Sequence, residues 1–271
     1  MKIPYYQVDA FTSEAFRGNP AGVCPLAEWL PTETLQTIAL ENMLPETAFF
    51  VRKGNRFHLR WFTPELEMDL CGHATLGSAF VIFNHLGYEN DVIHFDSASG
   101  PLTVHREGDL IRLDFPSRPG KTIDPPAPIV EGLQVDPTSI VEVIYDRDYL
   151  VILNNEAEVR NVEPDFDVLC QLSYGTGGVI VSAPGDVSDV ASRYFSPESV
   201  LKEDPVTGSA HCTSVPYWAK RLDKTTLHAR QVSQRGGDLH CTLAGDRVHL
   251  SGRGVTVMQG EFLLPASTAN A

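Results

Sequence analysis

The chain has 271 residues, 42% of them hydrophobic, enough for one large domain or two of about 130 residues each around filled cores. Lys and Arg number 21 against 35 Asp and Glu, and the net charge of -14 repels phosphate backbones and anionic membrane faces, which argues against nucleic-acid and membrane partners. Five cysteines (Cys24, Cys71, Cys170, Cys212, Cys241) without C-x-x-C spacing, a start without a signal peptide, and no apolar run of about 18 residues point to a soluble cytoplasmic protein.

Ile3 to Phe11 reads as the first strand. A helix follows from Thr32 to Met43, with Thr32 as its cap and Glu33 in its first turn. Strands come next at Thr47 to Val51 and Phe57 to Phe62, rich in β-branched and aromatic residues and separated by the turn Lys53-Gly54-Asn55. The second helix, Ala74 to Leu86 before Gly87, carries Leu76, Ala79, Phe80, Val81, Ile82 and Phe83. It has almost no polar face, so it is expected to be enclosed by a curved sheet. Strands at Val92 to Phe95, Leu102 to His105 and Leu110 to Phe115 complete the first half.

Pro116 to Lys121 and Asp124 to Pro128 form the densest Pro/Gly stretch. It is expected to sustain neither helix nor central strand, and it marks the domain linker. Strands resume at Ile140 to Tyr145, Tyr149 to Leu153, Val179 to Ser182 and Val190 to Phe195, followed by a helix from about Ser209 to Leu222 and strands ending near Leu264. The domains are placed at 1–118 and 119–254, with 255–265 returning to the first.

The halves repeat. Arg60-Trp61-Phe62-Thr63-Pro64-Glu65 realigns with Arg193-Tyr194-Phe195-Ser196-Pro197-Glu198 at an offset of 133, with four identities and two conservative pairs in six positions. Both hexapeptides precede an acidic loop and a small-residue turn into a helix, and the ungapped offset pairs Cys71 with Asp204. Two similar domains facing each other are expected, each with its helix N-terminus at a shared cleft. Unpaired amides at such termini bind carboxylate or enolate oxygens. The titratable groups offered there are Glu46, His73 and Asp204, and a carboxylate desolvated between a helix end and an apolar strand gains proton affinity, as an acid/base requires.

The runs Arg17-Gly18-Asn19-Pro20-Ala21-Gly22-Val23, Pro45-Glu46-Thr47-Ala48-Phe49, Asp69-Leu70-Cys71-Gly72-His73-Ala74-Thr75-Leu76 and Asp204-Pro205-Val206-Thr207-Gly208-Ser209-Ala210-His211 together resemble the phenazine-biosynthesis isomerase-like (PhzF-like) family. The likeness extends from Tyr6 to about Leu264. It implies an α+β fold of the diaminopimelate-epimerase type: two pseudo-symmetric domains, each a curved, mostly antiparallel sheet wrapped around a central helix, in a homodimer without cofactor or metal. It further implies that Glu46 is the acid/base moving a proton between carbons, and that His73, Asp204 and Ser209 line the site. Asn19, Cys71, Gly72 and Gly208 are the remaining candidate substrate contacts.

Epimerases of the same fold carry a cysteine at each helix start, whereas here the second start reads Asp204-Pro205-Val206-Thr207-Gly208. A two-base racemase needs a group on each face of the carbon. With Glu46 as the one obvious proton carrier and nothing acidic in Thr176-Gly177-Gly178-Val179, a one-face proton shift on a small carboxylate-bearing, amino-acid-like molecule is favoured. Two readings stay open beside it: a racemase or epimerase using Cys71, and a binding protein of the same fold without chemistry. Blander roles stand beside the chemical ones, with His73 and Asp204 as helix caps, Cys71 as a buried apolar residue and Asn19 as a turn former. No G-x-S-x-G or H-E-x-x-H run occurs.

Overall fold

The structure is a computed structural model that describes residues 1–172 and 177–265. In chain order the first half contains β1 (Lys2–Ala10), β2 (Asn19–Leu26), α1 (Thr32–Asn42), β3 (Glu46–Lys53), β4 (Arg56–Phe62), β5 (Glu67–Met68), α2 (Gly72–His85), β6 (Val92–Ser97), β7 (Gly100–Glu107) and β8 (Leu110–Pro116). The second contains β9 (Lys121–Ile123), α3 (Ala127–Gly132), β10 (Glu142–Tyr145), β11 (Tyr149–Ile152), α4 (Glu156–Arg160), α5 (Phe166–Leu169), β12 (Val179–Pro184), β13 (Val190–Phe195), β14 (Glu203–Asp204), α6 (Gly208–Leu222), β15 (Thr226–Gln231), β16 (Gly237–Ala244) and β17 (Arg247–Gly252), and β18 (Gly254–Leu263) closes the chain. Two compact units result, one of Met1–Asp114 with the segment from Ser251 onward and one of Phe115–Leu250.

In the first unit β18, β1 and β2 are antiparallel neighbours, β2 runs parallel to β3, β3 pairs antiparallel with β4, β4 parallel with β6, and β6, β7 and β8 form an antiparallel meander. β4 alternates, with Phe57, Leu59 and Trp61 buried, as a strand with one face on a core must. Against this sheet lies α2, ten of whose fourteen residues are buried. Gly77 lets it approach closely, since a Cβ there would already touch the Ala21 Cβ at 3.4 Å.

The second unit repeats the order. β9, β10 and β11 are antiparallel, β11 runs parallel to β12, β12 is antiparallel to β13, β13 parallel to β15, and β15 antiparallel to β16. α6 packs on β15 and β16, and its Trp218 indole donates to Ser182 Oγ at 2.9 Å. Pro216 inside this helix has no N–H for the Cys212 carbonyl four residues back, which instead accepts from the Arg118 amide at 2.9 Å.

Several local expectations are corrected. Thr32 does not cap α1: the N-cap is Pro31, without a side-chain cap, and the Thr32 hydroxyl accepts from Arg60. The Pro-rich segment supports more structure than its composition promised. β9 pairs with β10 there, and α3 begins at Ala127 because proline is tolerated in a first helical turn. Asn19 opens a strand rather than a turn. The second helix starts at Gly72, two residues early.

The ungapped repeat also slips. Phe62 matches Phe195, but β4 pairs Trp61 with Met68 where β13 pairs Tyr194 with Asp204, so the offset grows from 133 to 136 across the intervening loop. The structural counterpart of Cys71 is therefore Thr207 rather than Asp204, and Ser209 is that of His73. The ion pair Arg60–Glu67 has the same slip in its counterpart, Arg193–Glu203.

Candidate active site

The starts of two strands and one helix meet in the first unit. β2 and β3 are parallel, so Asn19 and Glu46 begin neighbouring strands at the same edge, and Cys71 is the N-cap of α2 beside them. His73 is the second residue of α2 and 4% exposed. Its Nε2 lies 3.0 Å from Glu46 Oε2. Its Nδ1 lies 3.0 Å from Asn19 Nδ2 and 3.6 Å from Cys71 Sγ. Thus Asn19, Glu46, Cys71 and His73 form one cluster, with Gly72 half-buried between the last two.

Burial opposes charging of the His73 ring, but the adjacent Cys71 and Glu46 acids outweigh it and hold its proton well above the ordinary histidine range. A charged ring needs an acceptor at Nδ1, which rotation of the Asn19 amide can present. Burial and then the nearby Glu46 charge push the Cys71 thiol up, with His73 opposing. Oxygen, sulfur and nitrogen donors of Glu46, Cys71 and His73 lie within 4.8 Å of one another. That set suits a zinc-like ion and was not legible as ligand spacing.

Around the start of α6 in the second unit, Asp204 ends β14 and its carboxylate accepts from the Thr207 hydroxyl. Gln231, buried in β15, donates to the Asp204 carbonyl at 2.5 Å and accepts from the Thr207 amide at 2.8 Å. The N-cap is Thr207, without a side-chain cap, followed by Gly208. Ser209 Oγ accepts from Arg147 at 2.9 Å. Neither His73 nor Asp204 occupies a cap position.

Register identifies the counterpart of Glu46 in this unit. Thr47 pairs with Phe62 and Val179 with Phe195, so Glu46 corresponds to Gly178. A Cβ at Gly178 would meet the Phe195 carbonyl oxygen at 2.5 Å and the Tyr194 ring at 2.8 Å, leaving no room for a carboxylate. Thr176, the polar member of that run, lies outside the described residues. Sequence reasoning missed Arg147, Asp148, Tyr194 and Gln231. The signal available was an Arg-Asp pair directly before an apolar strand.

Among the described residues no helix is long and apolar enough to cross a membrane. A profile of the phenazine biosynthesis-like protein family matches residues 8–260. A Pseudomonas aeruginosa protein named as an uncharacterised isomerase is 45% identical over 264 residues, spanning 97% of this chain and all of that one. The crystal structure of a PhzF-family protein from Enterococcus faecalis has a TM-score of 0.94 at 46% identity, covering 97% of this chain and 100% of that one. A hydroxyproline epimerase from Agrobacterium vitis, with 10% identity, a TM-score of 0.63 and coverage of 99% and 95%, shares the fold alone. With its two epimerase-like units, the chain belongs to the phenazine biosynthesis-like (PhzF) family and is an enzyme of the isomerase class.

Proposed function

We propose that the protein moves a proton between carbons of a small carboxylate-bearing, amino-acid-like substrate without a cofactor, with Glu46 as the single acid/base. The observation that carries this is the pairing of Glu46 with His73 at the start of α2, against glycine at the matched position, Gly178. One unit thus supplies a proton carrier and the other none at that position. His73, with Nε2 3.0 Å from the Glu46 carboxylate, positions that carboxylate for the substrate. Asp204 orients the substrate, Asn19 and Cys71 shape the pocket wall, and the amides around Gly72, Gly208 and Ser209 hold anionic oxygens. The homodimer that the family likeness implies belongs to the same reading and predicts a sedimentation mass twice that of the chain.

The test is exchange of carbon-bound protons with D₂O, followed by NMR over a panel of small amino and keto acids. Wild type is expected to exchange at least one of them. Glu46→Gln keeps the shape but cannot shuttle a proton, so exchange falls by at least ~10²-fold, the lower end for general acid/base groups, while Cys71→Ala stays within an order of magnitude of wild type. An active Glu46→Gln beside an inactive Cys71→Ala overturns the assignment in favour of a cysteine racemase. Absence of exchange with every acid that binds favours the binding protein.

A further inference from the structure

The short turn before β11 holds two charges, Arg147 and Asp148, outside the Glu46 cluster. Asp148 is completely buried, and its carboxylate gathers four donors: the Gly178 amide at 2.9 Å, the Tyr194 hydroxyl at 3.0 Å, and Arg147 through Nη2 at 3.1 Å and Nε at 3.2 Å. Tyr194 is itself buried, and burial followed by the Asp148 charge drives its hydroxyl firmly to the protonated, donating form. Arg147 is therefore gripped along one edge by a rigid support. A guanidinium held this way has lost most of the rotamer freedom that makes exposed arginines poor binding groups.

The other end of the contact is informative. Arg147 Nη2 also donates to Ser209 Oγ, 62 residues away in the first turn of α6, and the Arg147 side chain remains 27% exposed. A guanidinium only donates, so Ser209 must be the acceptor in that bond, and its own O–H is left to point at another acceptor. Ser209 is the counterpart of His73. Where the first unit places the Glu46 carboxylate against its first-turn residue, the second places a cation.

We propose that Arg147 is a substrate-binding residue: with the Ser209 hydroxyl and the first-turn amides of α6, its guanidinium receives a carboxylate of the substrate. The inference rests on the reading that Gly208 and Ser209 hold substrate oxygens, and it names the group that supplies the charge. It also explains the buried Asp148, which aims the guanidinium.

Benzoate, with benzamide as its uncharged isostere, is the probe, titrated into the ¹⁵N-labelled full-length protein. Benzoate is expected to shift the Ser209 amide and the Arg147 Nε–H resonance saturably and with one common affinity, and benzamide to shift neither. Arg147→Met should weaken benzoate about tenfold or more, as loss of a charged hydrogen bond implies, with Arg147→Lys falling between it and wild type. Benzoate that binds Arg147→Met as wild type, a Ser209 shift with a stationary Arg147 signal, or no saturable response in wild type each overturns the proposal. The Arg147 resonance decides the matter in wild type even where Arg147→Met fails to fold. Proton exchange by Glu46→Gln and benzoate affinity of Arg147→Met are read in different experiments, so failure of the Glu46 assignment and failure of this one are separate results.

Discussion

Two buried histidines give opposite signs to the pH dependence of stability. His211 donates from Nδ1 to the Thr207 carbonyl at 2.8 Å, its Nε2 is buried without a hydrogen-bond partner, and burial pulls its pKa down to about 4 against the weaker pull of that carbonyl. An unfolded histidine titrates near ~6.5. As pH falls through 6.5 toward 4 the unfolded chain takes up a proton that the folded protein refuses, so the contribution is intact above that window and lost within it, by about 3 kcal/mol when complete. Urea unfolding from pH 7 to 4 should show this loss, and His211→Gln, which keeps a donor but does not titrate, should flatten it. His73 behaves conversely. Its raised pKa makes its contribution full below the unfolded value and progressively lost as pH rises through the folded one, so the stability gap between wild type and His73→Gln should narrow on the alkaline side in the same measurement. At this scale the motifs singled out Glu46 and His73, because an acid before an apolar strand and a small-residue helix start are visible in one dimension. Arg147, Asp148 and Gln231 were not, since a charged turn and a polar strand end look solvated until pairing buries them.

The elements explain how Glu46 is presented. Asn42, the last residue of α1, accepts from the Tyr5 hydroxyl at 2.8 Å and donates to Thr47 Oγ1 at 2.9 Å, tying α1 and β1 to the residue after Glu46. Gly22 faces Thr47 across the parallel pair, and a Cβ there would lie 2.4 Å from Asn42 Nδ2 and 3.0 Å from Thr47 Oγ1. Gly22→Ala should therefore cost about 1–3 kcal/mol, the range for overpacking, and shift the β2–β3 edge that carries Asn19 and Glu46. In an Asn42→Ala background the same substitution should cost less, a coupling that thermal unfolding of the four-member cycle measures. Strand alternation and the apolar α2 made most elements legible from composition and period. The parallel neighbours β2–β3 and β4–β6 were not, because pairing partners distant in sequence leave no local trace, and the slip from offset 133 to 136 escaped an ungapped comparison because its three extra residues sit in a loop, where insertions disturb no pairing.

At the scale of the whole chain, duplication has produced two units that differ in how they are closed. The second is continuous from Phe115 to Leu250 and has its own core, with Ile129, Leu133, Val151, Val181 and Phe195 fully buried. The first is discontinuous. β18 pairs with β1 from Lys2–Leu263 to Ala10–Gly254, and Phe262 packs edge-on against Tyr5 with ring centres 5.0 Å apart. Residues 1–114 alone would leave β1 as an edge strand with Ile3 and Tyr5 short of their cover. A fragment of residues 115–250 is expected to fold cooperatively, with dispersed amide resonances and a sigmoidal urea transition. A fragment of residues 1–114 should not fold unless residues 251–265 are supplied through a linker from its N-terminus to the end of β18, which the approach of Met1 N to the Leu264 carbonyl at 2.6 Å makes short. A cooperative transition in the unlinked 1–114 fragment, equal in midpoint to the linked one, would show that β18 is dispensable and that each half carries its fold without exchange of a strand.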